Sequence, residues 1–203
     1  MIWACKGGRR ALFESFGLGK TVQELEWCRL VQEHEQAPVL IILPLGVRQE
    51  FSRDAVQLLG MDTPVYVRTM AEVKANPAKI YMTNYERVRD GDIDPRYFGG
   101  TALDEASVLR SYGSKTFQTF MDLFRGVKYK LVATATPSPN RYKELIHYAG
   151  YLEVMDTGQA LTRFFQRDST KANNLTLYPH KEEEFWLWVS SWALFLSSPD
   201  DLG

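Results

Sequence analysis

Ala11-Leu-Phe-Glu-Ser-Phe-Gly-Leu-Gly-Lys-Thr21 is the stretch that sets the reading of this chain. Ala11 to Phe13 is a short apolar segment that reads as a buried strand. The chain then breaks into a loop at Gly17 and Gly19, and Lys20-Thr21 open an amphipathic segment. Strand, glycine loop and helix start, in that order, are what a phosphate-binding loop requires. The glycines let backbone N–H groups turn inward on an anion, and the first helical turn adds unpaired donors and the positive end of its dipole. Lys20 has the reach to meet terminal phosphates, and the Thr21 hydroxyl suits a Mg²⁺ ion. One position departs from the pattern G-x-x-x-x-G-K-[ST]: its first glycine is replaced by Glu14. The competing reading is a strand-to-helix turn whose glycines serve only the backbone.

Working outward, the 203 residues are 45% hydrophobic and 24% charged, enough for one substantial core. A net charge of −1 carries no global basic field, so any nucleic-acid binding has to come from a local patch. Cys5 and Cys28 have no metal-ligand spacing and suit a reducing compartment. No signal peptide and no membrane-length apolar run is present, from which a cytoplasmic protein is expected. Both ends look unfinished, so a fragment of a longer protein is expected.

After Thr21 a helical period runs to about Glu35, and Val39-Leu-Ile-Ile-Leu43 is a continuous apolar run of the kind a central parallel strand shows. Helical spacing resumes from Val47 to Leu59. Pro64 to Arg68 reads as a strand, Ala71 to Ala75 as a short helix and Ile80 to Thr83 as a strand. Thr101 to Leu103 is a short strand, Tyr112 to Phe124 an amphipathic helix, and Tyr129 to Ala133 another strand. This alternation predicts an α/β domain: a parallel sheet with helices on both faces. Beyond about Gly150 the rhythm gives way to helical stretches. The clearest, Glu182 to Leu196, sets Phe185, Trp188, Val189, Trp192 and Phe195 on one face, which is read as core or docking surface rather than a base-stacking platform.

Two further segments carry chemistry. Leu103-Asp-Glu-Ala-Ser107 follows a strand, so Asp104 and Glu105 emerge at the carboxyl edge of the sheet, where open α/β sheets bind ligands. There Asp104 can hold Mg²⁺ through water, and Glu105 can orient the water that attacks a γ-phosphate. Thr134-Ala-Thr136-Pro137 also follows a strand, and the Thr134 and Thr136 hydroxyls are candidates for coupling the acid loop to a second surface. Ordinary turn chemistry explains the latter segment equally well.

Gly-Leu-Gly-Lys-Thr, a buried strand ending in Pro-Leu, Thr-Asn-Tyr-Glu-Arg, Asp-Glu-Ala-Ser and Thr-Ala-Thr-Pro resemble, in order and spacing, the first RecA-like domain of superfamily two helicases. The likeness is greatest to the Swi/Snf-type translocases, whose loop commonly reads D-E-M-G-L-G-K-T; Glu14 then falls where that branch has Asp. Thr136-Pro-Ser-Pro-Asn140 and Pro179 to Trp188 are similar to phage and bacterial proteins of this branch.

The resemblance implies a RecA-like P-loop domain over residues 1–150, truncated at its N-terminus. Residues 151–203 are then a helical C-terminal extension leading to a second RecA-like domain that is missing here. It implies ATP and Mg²⁺ as cofactors, with Gly17, Leu18, Gly19, Lys20 and Thr21 around the phosphates. Thr21 and Asp104 would hold the metal, Lys20, Asp104 and Glu105 would be catalytic, and Thr134 and Thr136 would couple. Pro44 to Gln49 and Thr83 to Arg87 match segments that track a nucleic-acid strand, with Arg48 and Arg87 as phosphate contacts; DNA is the expected partner, RNA the alternative. No glutamine precedes Gln23, so the branch's adenine-reading motif is not found. Without the second domain's arginine finger, slow hydrolysis is expected. The other readings held open are a different P-loop ATPase, terminase-like or a restriction subunit, and a nucleic-acid-binding module with a vestigial nucleotide site.

Overall fold

The protein is seen in a computed structural model that describes residues 1–106, 109, 115–135, 142–167 and 175–202. In chain order the elements are α1 (Ile2–Gly7), β1 (Arg9–Glu14), α2 (Lys20–Glu35), β2 (Val39–Ile42), α3 (Arg48–Gln57) and β3 (Val65–Tyr66). Then come α4 (Met70–Ala75), β4 (Ile80–Thr83), α5 (Tyr85–Arg89), β5 (Gly100–Leu103), α6 (Lys115–Leu123) and β6 (Tyr129–Thr134). The remainder is α7 (Lys143–Tyr151), α8 (Thr157–Phe164), β7 (Phe165–Arg167), β8 (Leu175–Leu177), α9 (Glu182–Ser190) and β9 (Ala193–Leu196).

Among the described residues, seven strands form one sheet in the order β3-β4-β2-β5-β6-β1-β9, and every pairing in it is parallel. Alternation along the strands explains why helices cover both faces. Phe13, Leu40, Ile42, Tyr81, Leu103 and Val132 enter one core, together with Phe120 of α6, Phe124 just after it, and Phe185 and Val189 of α9. Their neighbours Leu12, Val39, Ile41, Met82, Ala102 and Leu131 enter the other, beneath Leu25, Trp27 and Cys28 of α2 and Phe51 of α3. Gly100 lets α2 lie close on β5, since a Cβ there would stand 2.8 Å from Val31 Cγ1.

The order places β6 between β1 and β5. The loops after β1 and β5 are therefore two strand spacings apart, about 10 Å. A long side chain spans that gap and a short one does not.

Helices do follow Gly150, as α8 and α9, but α9 stops at Ser190. The helical reading through Leu196 is corrected here: Ala193–Leu196 leave the helix and pair parallel with Ala11–Glu14. Two serines end the helix by turning back on it, Ser190 Oγ donating to the Leu187 carbonyl at 2.9 Å and Ser191 Oγ to the Trp188 carbonyl at 2.6 Å. The extended path then satisfies the outer backbone edge of β1, which a helix cannot do. Phe185, Val189 and Trp192 are buried as a core face, Trp188 stacks on Phe164 at 5.1 Å, and Phe195 is partly exposed. β7 and β8 form a separate antiparallel pair. Among the described residues no helix is long and apolar enough to cross a membrane.

Candidate nucleotide cleft and adjoining groove

β1 delivers Glu14 to the carboxyl edge of the sheet, and the chain turns through Gly17 (φ 85°) and Gly19 (φ 77°) into α2. Those left-handed conformations are the reason for glycine at both positions. Glu14 is buried and braces the loop through Gln23. The Gln23 amide donates to Glu14 Oε2 at 2.8 Å and to the Leu18 carbonyl at 3.2 Å. Burial pushes the Glu14 carboxyl up, against the Gln23 hydrogen bond. The missing first glycine is thus answered by a carboxylate that holds the loop from beneath. Sequence reading flagged Glu14 but not its partner; Gln23, two residues past Thr21 on the new helix, was the available signal.

Lys20 crosses to the next loop. Its Nζ lies 2.6 Å from Glu105 Oε1 and 2.9 Å from Asp104 Oδ1. Burial works against its charge, but Asp104 and then Glu105 outweigh that and hold the ammonium above the ordinary lysine range. Asp104 is buried and its backbone N–H donates to the Ile42 carbonyl at 2.9 Å. Burial raises its carboxyl while Lys20 pulls it down. Glu105 sits at φ 51°, a left-handed conformation for a non-glycine residue, of the kind that surrounding structure must impose.

Glu24, one turn beyond Lys20 on α2, is fully buried, and apart from a hydrogen bond shared with Asp104 no protein donor meets its carboxyl oxygens. Burial first, then the charge of Asp104, push its carboxyl well above the usual range. The Thr21 hydroxyl donates to Glu50 Oε1 of α3 at 3.0 Å. Neither Glu24 nor Glu50 was singled out in the sequence, where each is one acid among many on a helix.

Glu14, Gly17, Gly19, Lys20, Thr21, Glu50, Asp54, Asp104, Glu105 and Ala135 line a cleft of about 340 Å³. The candidate residues Gly17, Gly19, Lys20, Thr21, Asp104 and Glu105 are thereby brought together, and Leu18 lies in the same loop. Thr134 is buried at the end of β6, paired in register with Phe13 of β1. Thr136 lies outside the described residues. Among the described residues no cluster of three or more His, Cys, Asp or Glu is placed to hold a metal. Thr21 and Asp104 are the residues that could complete the coordination of a Mg²⁺ carried in by phosphates.

Beside the cleft, Leu45, Gly46, Arg48, Gln49, Tyr66, Arg68, Asn84 and Arg87 line an open groove of about 600 Å³ at the carboxyl ends of β2, β3 and β4. The Arg48 guanidinium lies 5.0 Å over the Tyr66 ring. Arg87 is ion-paired with Asp92 at 2.9 Å. Arg48 and Arg87 therefore do share one surface, and Arg68 joins them. Arg68 was missed because the sequence reading makes it the last residue of a strand, whereas β3 ends at Tyr66 and leaves Arg68 in the following turn.

No protein-family model matches the chain. In sequence it is 30% identical over 162 residues, 70% of its length, to chromodomain-helicase-DNA-binding protein 1 of Homo sapiens. It is 24% identical over 182 residues, 77% of its length, to the chromatin-remodeling ATPase INO80 of Cryptococcus neoformans. Protein CHROMATIN REMODELING 5 of Arabidopsis thaliana is 26% identical over 193 residues, 85% of the chain. The chain spans 9%, 10% and 11% of those relatives' lengths. Among solved structures, the Sulfolobus solfataricus SWI2/SNF2 ATPase core in complex with dsDNA superposes with a TM-score of 0.72 at 19% identity. That match covers 99% of this chain and 43% of the other. The UvsW helicase from bacteriophage T4 gives a TM-score of 0.57 at 15% identity, over 73% of this chain and 55% of the other. At such identities the likeness is one of fold: the sheet and its helices have the RecA-like architecture of the SWI2/SNF2 ATPase core.

Proposed function

We propose that this chain is the ATP-binding half of a DNA-dependent ATPase of the Swi/Snf type, the first of two RecA-like domains in a translocase. The observation that carries the reading is Lys20 held between Asp104 and Glu105 across a glycine-bounded cleft, with an arginine-lined groove alongside. The chromatin-remodeling relatives and the DNA-bound SWI2/SNF2 core support it.

In this reading the N–H groups of the Gly17–Gly19 loop and the start of α2 receive the phosphates. Lys20 exchanges its carboxylate partners for phosphate oxygens. Thr21 and Asp104 hold Mg²⁺, which when bound neutralises charge developing on the phosphate oxygens. Glu105, released from Lys20, orients the attacking water. Thr134, at the end of β6, and Thr136 take part in coupling. Arg48, Arg68 and Arg87 contact a nucleic-acid backbone. A second RecA-like domain of a longer protein would supply an arginine finger, worth about 10³ to 10⁵ in rate. The isolated chain is therefore expected to bind nucleotide and hydrolyse it very slowly.

The test is titration of the chain with a fluorescent ATP analogue and Mg²⁺ beside Lys20→Ala. Saturable binding that the substitution abolishes is expected. Absence of binding at millimolar nucleotide would overturn the reading and favour a vestigial site.

A further inference from the structure

The groove and the cleft adjoin along α3, where Arg48 and Gln49 line the groove and Glu50 and Asp54 the cleft. Asn84 and Arg87 line the groove. Between them Tyr85, the first residue of α5, points the other way and its hydroxyl donates to the Asp104 carbonyl. That carbonyl belongs to the peptide joining Asp104 to Glu105, the two acids that hold Lys20. The Tyr85 ring packs on Phe120 of α6 with centroids 5.7 Å apart, so the core fixes the ring. Glu105 follows in its left-handed conformation, which depends on how the preceding peptide is held.

We infer that Tyr85 is a positioning residue: it transmits occupancy of the arginine groove by a nucleic-acid backbone to the Asp104–Glu105 loop, and so to nucleotide. This rests on the function proposed above. A polyanion drawn in by Arg48, Arg68 and Arg87 bears on α5 through Arg87 and Asn84. Any shift of α5 moves the Tyr85 hydroxyl and the peptide it holds, because the link is one hydrogen bond long. Contiguous contacts of this kind are how coupling is carried between adjacent sites. By reciprocity, nucleotide that rearranges Glu105 must alter affinity in the groove by the same factor.

The experiment is a binding cycle on the full chain. Affinity for a fluorescent ATP analogue with Mg²⁺ is measured without and with saturating duplex DNA, for the wild type and for Tyr85→Phe, with thermal melts of both. Wild-type affinity is expected to change about 5- to 150-fold on DNA addition, the usual range of coupling between sites. In Tyr85→Phe that change should shrink to within about two-fold while each ligand alone binds as before. Tyr85→Phe that keeps the full coupling, or that weakens each ligand separately, would overturn the inference. So would a wild type that binds both ligands independently. A wild type that binds neither ligand would overturn the proposed function along with it.

Discussion

Lys20 Nζ stands 2.6 Å from Glu105 Oε1, so without a phosphate the cleft's principal cation is neutralised by the residue proposed to activate water. Nucleotide has to break that pair, and part of the phosphate attraction is spent doing so. Glu105→Gln should therefore bind nucleotide at least as tightly as the wild type while hydrolysing it far more slowly. Lys20→Ala should lose about 10²-fold or more in affinity, because it removes a charge-assisted contact in a low-dielectric cleft. Equilibrium titration of the two variants side by side checks both signs. Weaker binding by Glu105→Gln would mean that the acid supports the loop rather than competing for its lysine.

Glu24 is buried beside Asp104, with which its raised carboxyl shares a hydrogen bond, and no other protein donor meets its oxygens. Burying a carboxyl with so little compensation costs on the order of 1–3 kcal/mol. Glu24→Leu, similar in volume, should raise stability by about 1 kcal/mol or more, which is roughly 2–4 °C in melting temperature for a domain of this size. Differential scanning fluorimetry measures this directly. A fall in melting temperature would show that the hydrogen bond shared with Asp104 outweighs the cost of burial.

Much of this was legible in the sequence, and the reason is local. A parallel strand buried on both faces leaves a run such as Val39–Ile42, and a loop needing left-handed residues leaves Gly17 and Gly19. Asp104 and Glu105 were readable because a strand end fixes where they emerge. What stayed hidden is set by packing at long range. Glu50 on Thr21 and Tyr85 on Asp104 join elements whose proximity only the sheet order creates. The strand Ala193–Leu196 was hidden for a related reason: its period matches the helix before it, and only the open edge of β1 selects the extended path.

In the groove, Arg48→Ala and Arg68→Ala should each weaken DNA binding to a similar degree on all sequences. Each should also reduce the slope of log affinity against log salt by about 0.9. Arg87→Ala should cost less, because Asp92 already holds that guanidinium at 2.9 Å. Asp92→Asn should correspondingly strengthen binding. Fluorescence anisotropy over a salt series separates these cases, and slopes unchanged by all three arginine substitutions would place the DNA elsewhere.

Acid sensitivity is expected at Glu153, which accepts from buried Lys130 at 2.8 Å and pairs with Arg9 at 3.0 Å. Burial alone would raise its carboxyl, but Lys130 and then Arg9 outweigh this and hold it below the usual value of 4.5. A carboxyl depressed on folding stabilises the protein above its unfolded value, and that stabilisation is lost as pH falls through the folded value. Glu153→Gln should thus cost about 1–2 kcal/mol at pH 7, a figure kept low by partial exposure, and progressively less below about pH 4. Melts from pH 3 to 8 check the sign; a gap constant with pH would assign the loss to packing.

Strand β9 bears on both stability and the cleft. The Ser15 N–H, at the start of the glycine loop, donates to the Leu196 carbonyl at 2.9 Å, and Ala11 N–H donates to Trp192 at 2.9 Å. A chain ending at Ser191 would lose both anchors, the buried Trp192 and the cover on the outer edge of β1. Losing a buried tryptophan alone costs about 3–5 kcal/mol, or roughly 6–20 °C here. Trp192→Ala separates the two contributions, since it removes the ring but keeps the strand. Trp192→Ala should melt lower yet bind nucleotide near normally once folded. The truncated chain should melt lower still and bind poorly, because Ser15 is no longer held where the loop begins. Normal nucleotide affinity in a folded truncated chain would limit β9 to a stabilising role.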